Sequence, residues 1–391
     1  MINKALLDKE VQDYIRLNAD ADVNKIILKG SPFQDIDVKE IAHQIQGKKA
    51  TLKKLPLWAN TDGIIYPPKI NLEQSSSEIT ALYKSKLVKN ANMVDLTGGF
   101  GVDDFYFSKE AKEVVHCELN PQLSALAQHN NQLLGAQNIT FHTGDSHEYL
   151  QNIQQTDIIY TDPSRRVENS KVFLLQDCEP NIIQHLDFYL SKAPKIILKA
   201  APILDIYAAV KALKYVSEIH VVSVNNECKE LLFIIEKQAS ATKIVCALLT
   251  AENQNILEFP YLEEENIISP SYKNPETYLY EPDAAILKAG LFKSIAQKFD
   301  LHKLHQHSHL YTSKELKNDF PGRVLKINHV LEFKQFSKQH LKKANVVCRN
   351  FHLKPEEVKK KFKIDDGSNT YLYCTTAHDE RKIMMIAERI S

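Results

Sequence analysis

The segment Val94-Asp95-Leu96-Thr97-Gly98-Gly99-Phe100-Gly101-Val102-Asp103 sets three glycines between an apolar β-branched run and the start of a helical pattern. Glycine lets backbone approach a ligand where a Cβ would collide, and a helix N-terminus offers unpaired N–H groups. Gly98, Gly99 and Gly101 lack the spacing of the dinucleotide fingerprint GxGxxG, so the loop alone fits tight-turn packing as well as cofactor binding. Glu118 ends the next apolar run, 17 residues after Gly101. An open α/β sheet presents a carboxylate there to ribose hydroxyls. Asp145, in Thr143-Gly144-Asp145-Ser146, follows the third run, where a carboxylate can accept an adenine amino proton. Each acid alone could cap a helix. Glycine loop, Glu118 and Asp145 in order on successive strands point instead to a nucleoside cofactor.

The elements that must position these groups are legible from periodicity. Residues 1–70 read as helical, with Val11, Tyr14, Ile15, Ile36, Val38, Ile41 and Ile45 at three-to-four-residue spacing. Between about 90 and 235, seven short β-branched runs (93–96, 114–118, 139–142, 157–160, 195–199, 219–224, 231–235) alternate with helical stretches. That alternation predicts βαβ units around a mainly parallel sheet. The connection between the last two runs is too short for a crossover helix, so they are expected to pair antiparallel. A proline-rich connector with Pro260, Pro270, Pro275 and Pro282 follows, and 284–299 reads as one small helix. From about 320 onward, strands and basic helices suggest a separate α+β module.

The fourth run leads into Thr161-Asp162-Pro163-Ser164-Arg165-Arg166. With the glycine loop, Glu118 and Asp145, this series resembles the class I S-adenosylmethionine-dependent methyltransferases over about residues 74–235. In that superfamily the strand-four position often carries Asp/Asn-Pro-Pro-Tyr/Phe in enzymes that methylate exocyclic amines of bases. An aryl amine lone pair is delocalised into its ring. A carboxylate and a neighbouring proline carbonyl, each accepting an N–H, direct that lone pair at the sulfonium methyl. Asp162, Pro163 and Ser164 are the candidate catalytic residues, although Ser164 and Arg165 stand where the pattern has proline and an aromatic ring. Arg165 and Arg166 are candidates for substrate binding, by stacking on a base or gripping phosphate, or else they pair with acids of the sheet. The resemblance also brings in Ser76, Thr80 and Lys84, at i, i+4 spacing after a serine-rich helix start, to reach the methionine carboxylate; plain capping is the alternative. With Asp95, Thr97, Gly98, Gly99, Gly101, Glu118, Asp145 and Ser146 they complete the candidate cofactor site.

Further motifs extend the resemblance to bacterial methyltransferases with a C-terminal THUMP-like domain. They are EQSSSEITALYK, DLTGGFGVD, TDPSRR, YLYEPDAAILKAG at 278–290, FPGRV at 320–324 and VCRNF at 347–351. The implied fold is a Rossmann-like, seven-stranded α/β methyltransferase sheet. Its expected division is a helical region 1–70, a methyltransferase domain 71–250, a connector subdomain 251–315 and a THUMP-like α+β domain 316–391. The implied activity is methylation of an exocyclic amine of an RNA base, with S-adenosylmethionine as cofactor and structured RNA as partner. Two alternatives stand beside it: an RNA-binding protein that keeps the cofactor fold without turnover, and a methyltransferase acting on small molecules or proteins.

Charge agrees with an anionic partner. Lys+Arg and Asp+Glu balance at 49 each, yet residues 314–363 hold 14 Lys/Arg against 5 Asp/Glu, a local +9. Lys342 and Lys343 are its candidate substrate contacts; a solvated helix face is the alternative. With 43% hydrophobic and 25% charged residues the chain is an ordinary globular protein of two to four domains. No apolar run reaches the ~18 residues that cross a bilayer, and MINKALLDKEVQDYIRL lacks a signal-peptide pattern, so a cytoplasmic protein is expected. Six cysteines without a CxxC pair suggest reduced thiols. His302, His305, His307 and His309 cluster without a completing Cys or acid, so no metal is expected.

Overall fold

The computed structural model describes residues 3–165, 175–337 and 341–390. The chain divides into two units, one of residues 1–217 and 232–240, the other of 218–231 and 241–391.

The first unit opens with helices α1 (Lys9–Leu17), α2 (Val23–Lys29), α3 (Val38–Lys54), α4 (Pro56–Ala59) and α5 (Lys69–Gln74). Val11, Ile15, Ile36, Ile41 and Ile45 all turn inward and share a core with Ile65, as the helical spacing predicts. Helix α6 (Glu78–Ser85) follows, with Ser77 as N-cap receiving the Thr80 N–H. The strands β1 (Asn92–Asp95), β2 (Glu113–Glu118), β3 (Ile139–Thr143), β4 (Ile158–Thr161) and β5 (Lys195–Ala200) pair in the order β5-β4-β1-β2-β3, all parallel. Helices α7 (Val102–Phe107), α8 (Pro121–Leu133), α9 (Ser146–Asn152), α10 (Ile182–Lys192) and α11 (Ile206–Leu213) lie among and after these strands in the chain. Every residue of β4 is buried, which explains its continuous apolar run: a central parallel strand has no solvent face to alternate with. The chain crosses to opposite sides of β1, to β2 and to β4, so the topological switch point lies between β1 and β4. Ligands bind such sheets at that point, beyond the C-terminal strand ends.

Strands β6 (Val216–Val224) and β7 (Glu227–Ile235) are each divided between the units. They are sheet neighbours joined by Asn225 and Asn226, both at positive φ (51° and 66°). That two-residue turn makes the expected antiparallel hairpin, with Asn tolerating the left-handed backbone. All seven predicted runs are strands.

In the second unit, β8 (Lys243–Leu249) pairs parallel with β6 residues 218–224 and antiparallel with β9 (Gln254–Pro260). Neither β8 nor β9 was among the strands expected from the sequence. After the short α12 (Glu263–Asn266), a second sheet of β10 (Tyr278–Pro282), β11 (His302–Lys303), β12 (Tyr311–Ser313), β13 (Gly322–Glu332), β14 (Asn345–Arg349), β15 (Thr370–Thr376) and β16 (Lys382–Arg389) has the order β11-β12-β10-β13-β16-β15-β14. The single helix expected over 284–299 is two, α13 (Ala284–Ala289) and α14 (Phe292–Phe299). Gly290 at φ 75° takes a left-handed C-cap that ends the first of them. Helix α15 (Pro355–Phe362) precedes β15. Among the described residues no helix is long and apolar enough to cross a membrane.

Candidate active site

Strand β1 ends at Asp95, whose carboxylate is buried and accepts the Thr97 N–H (2.7 Å) and hydroxyl (3.1 Å). Burial pushes its pKa well above the ordinary carboxylate range, and neighbouring Asp104 adds to the rise. The Thr97 hydroxyl oxygen accepts the Asp162 N–H at 2.7 Å. Asp95 and Thr97 thereby tie the glycine loop to the end of β4.

Two of the three loop glycines are required by close packing. A Cβ on Gly98 would lie 2.2 Å from His116 Nδ1, and one on Gly101 (φ 79°) would lie 2.7 Å from Asn131 Nδ2. Gly99 (φ 56°) would meet nothing nearer than 3.7 Å, so its bare face is open toward the cavity. Its N–H donates to Glu118 Oε2 at 3.0 Å, while Glu118 Oε1 accepts the Asn120 N–H at 2.7 Å. Beneath the loop, His116 Nδ1 and Asp104 Oδ2 lie 2.6 Å apart, both fully buried. Burial lowers the pKa of His116 to about 4 and raises that of Asp104.

A cavity of about 530 Å³ opens over these strand ends, within the 300–1,000 Å³ range of small-molecule sites. Of the residues expected from sequence, Ser76, Asp95, Thr97, Gly98, Gly99, Gly101, Glu118, Asp145, Ser146, Asp162 and Ser164 line it. Thr80, Lys84 and Pro163 are not among its lining residues. The Thr80 hydroxyl turns back to Ser77. Lys84, 1% exposed, reaches Ser76 Oγ (2.7 Å) and Asp103 Oδ1 (3.1 Å). Ser76 precedes α6 instead of sharing its face. Asp145 caps α9 through the His147 N–H (2.7 Å) and also lines the cavity, so the two readings of this acid coexist. Arg165 continues into a two-residue ribbon in which Ser164 pairs with Glu179; Arg166 lies outside the described residues. Lys342 and Lys343 are exposed residues of the second unit.

Sequence reasoning missed Asp103, Lys199, Glu179, His185 and Tyr189, all of which line the cavity. Asp103 accepts hydrogen bonds from Ser76 (2.9 Å) and Tyr160 (2.9 Å). Burial alone would raise its pKa, but Lys84, Lys199 and these hydroxyls outweigh burial and hold it low. Lys199, at the end of β5, pairs with Asp162 Oδ2 at 2.5 Å. A lysine closing a parallel strand sits where such sheets bind ligands, which is the signal that could have found it. Cys117 also lines the cavity, and burial raises its thiol pKa, away from nucleophilic chemistry.

An S-adenosylmethionine-sized group fits this wall. The lining carries six acidic side chains (Asp95, Asp103, Glu118, Asp145, Asp162, Glu179), of which Asp95 is pushed toward its neutral form and Asp103 pairs with Lys84 behind the wall, and one ammonium, Lys199. That surplus suits ribose hydroxyls and a sulfonium cation and opposes a pyrophosphate. Among the described residues no three His, Cys, Asp or Glu side chains are grouped to hold a metal. Of the clustered histidines, His302 meets Ser271 and His309 stacks on the Phe292 ring, while His305 and His307 lie ring to ring with His305 also reaching Glu380.

Along its whole length the chain is similar to a protein of Porphyromonas gingivalis W83 designated a methyltransferase, at 32% identity, full coverage of both chains and a TM-score of 0.87. The chain belongs to this methyltransferase family. Residues 278–321 match a family model described as a ferredoxin-like domain, and residues 322–389 match one described as THUMP domain-like. Two uncharacterized S-adenosylmethionine-dependent methyltransferases of Mycobacterium tuberculosis, from strains CDC 1551 and H37Rv, are 23% identical to this family member over 234 residues. The matched region spans 60% of this chain and 62% of each mycobacterial protein, about three-fifths of the curated relatives' length.

Proposed function

We propose that the protein is an S-adenosylmethionine-dependent methyltransferase acting on an exocyclic amine of an RNA base. The observation that carries the reading is the Asp95–Thr97–Asp162 chain, which fixes the acceptor carboxylate of β4 to the cofactor loop of β1. When bound, the cofactor supplies an electrophilic sulfonium methyl. Glu118 is held by Gly99 and Asn120 facing the cavity, where it can accept ribose hydroxyls. Asp145 and Ser146, at the start of α9, suit the adenine end. Ser76 and Asp103, locked by Lys84 and Tyr160, form a rigid polar wall for the methionine end. Lys199 engages Asp162 Oδ2, so Oδ1 is the oxygen that takes an amine N–H. The basic 314–363 segment and the THUMP-like match support an RNA acceptor.

A second acceptor class is favoured by one observation. The Lys199 ammonium beside Asp162 is the kind of group that stabilises a developing alkoxide, as a ribose hydroxyl acceptor would need. The test is transfer of a radiolabelled methyl group to RNA from cells lacking the protein, followed by nucleoside analysis. Label in a base-methylated nucleoside is expected. Label confined to a ribose-methylated nucleoside would replace the amine by the hydroxyl, and transfer to no RNA would remove the RNA reading.

A further inference from the structure

The motifs at 278–290, 320–324 and 347–351 take no part in the cavity, whose lining lies within residues 71–199. They meet one another inside the second unit. Glu281, near the end of β10, has a side chain only 3% exposed. Its Oε2 accepts Arg323 Nη1 (3.0 Å) and the Tyr373 hydroxyl (2.7 Å). Its Oε1 accepts Arg349 Nε (2.7 Å) and Nη2 (2.6 Å). The backbone is shaped around the same acid: a Cβ on Gly322 would lie 2.2 Å from the Glu281 carbonyl oxygen.

Arg323 and Tyr373 satisfy Oε2 and neutralise the carboxylate, while Oε1 takes its hydrogen bonds from Arg349. Arg349 comes from β14, the edge strand of the sheet, and brings a second guanidinium to a carboxylate already neutralised. The arginine side chains are 31% and 45% exposed. The negative charge is thus behind, the positive surplus in front. A guanidinium has five N–H donors in a rigid fork. Glu281 takes one from Arg323 and two from Arg349, and the Cys348 carbonyl lies 3.5 Å from Arg349 Nη1. Holding both forks in place beforehand removes most of the ordering cost that a flexible lysine would incur on binding.

We propose that Arg323 and Arg349, locked side by side by Glu281, form a phosphate-binding fork for the RNA backbone. This rests on the RNA-acceptor reading above and extends it to a defined contact. Phosphate contacts appear as a steeper loss of affinity with salt, a quantity that a merely structural ion pair does not move.

The experiment titrates a fluorescently labelled RNA hairpin with the full chain between about 50 and 200 mM salt. It uses wild type, Arg349→Gln, which can still donate to Glu281 without charge, and Arg349→Lys. Thermal unfolding and S-adenosylmethionine affinity of each variant report the fold independently. Arg349→Gln is expected to weaken RNA binding about tenfold and flatten the log–log salt slope by about 1. Arg349→Lys should keep the slope and lose about threefold, because a point charge replaces a fork. Wild-type affinity and slope in folded Arg349→Gln would overturn the fork. Failure of wild type itself to bind RNA would sink the RNA reading instead. Inorganic phosphate then decides the fork: thermal stabilisation of wild type but not of Arg349→Gln upholds an anion site, and equal response in both overturns it.

Discussion

The cavity beyond β1–β5 and the Glu281 cluster are both built on carboxylates, with opposite balances. Around the cavity six acids line one wall with a single lysine. At Glu281 one acid holds two arginines. On the proposed reading, the acid-rich wall suits hydrogen-bond donors and a cationic sulfur, and the base-rich fork suits phosphate. A formal net charge of zero for the whole chain conceals both. The comparison locates ligand class in the local ratio of charges and in which sign faces outward, not in the total.

The sharpest break of the acid-rich side is Asp162→Ala. Methyl transfer should fall by about 10²–10⁴, the span of a positioned proton-handling group. Calorimetric S-adenosylmethionine affinity should stay within about twofold of wild type, because Glu118, Gly99 and Asp145 are untouched. Normal turnover would make the β4 acid structural.

On the base-rich side the double charge reversal Lys342→Glu and Lys343→Glu should weaken RNA binding about three- to tenfold and flatten its salt dependence. Neither lysine lines the cavity, so cofactor affinity should not change. Unaltered RNA binding would assign these lysines to a solvated face.

The smallest effect concerns fold stability. The His220 hydrogen bond, with the charges of His220 and Lys243 outweighing partial burial, holds Glu218 down to about 2. A depressed acid contributes stability above its unfolded pKa of 4.5 and loses it as pH falls toward 2. The melting temperature of Glu218→Gln should therefore lie below wild type at pH about 6, with the gap narrowing below pH about 4.5 and closing only near pH about 2. Parallel curves for the two proteins would show that the pair contributes no pH-dependent stability.

Much of this is legible in the amino-acid sequence. The central strands β1, β4 and β5 announced themselves because buried parallel strands are apolar on both faces, whereas the edge strand β3 was read from its β-branched run between helical stretches. Glu118 and Asp145 were found by the rule that ligands gather at strand C-termini. The same rule applied to β5 would have found Lys199, but a lysine ending KIILK reads first as a surface residue. Asp103 looks like an ordinary first-turn helix acid, and only the fold brings Ser76, Lys84 and Tyr160 to it. Glu281, Arg323 and Arg349 were each inside a quoted motif, yet their meeting spans 42 and 68 residues and leaves no local periodicity. Strand β9 was hidden by its own Glu258 and Pro260 and by the acids at 263–265 that follow it.

The most direct measurement is calorimetric titration of the full chain and of Glu118→Ala with S-adenosylmethionine and with NAD. Wild type should bind S-adenosylmethionine at one site and ignore NAD. Glu118→Ala should lose about 1.5–3 kcal/mol, the worth of a charge-assisted hydrogen bond. Tight NAD binding by wild type, or full S-adenosylmethionine affinity in folded Glu118→Ala, would contradict the assignment of the acid-rich cavity to that cofactor.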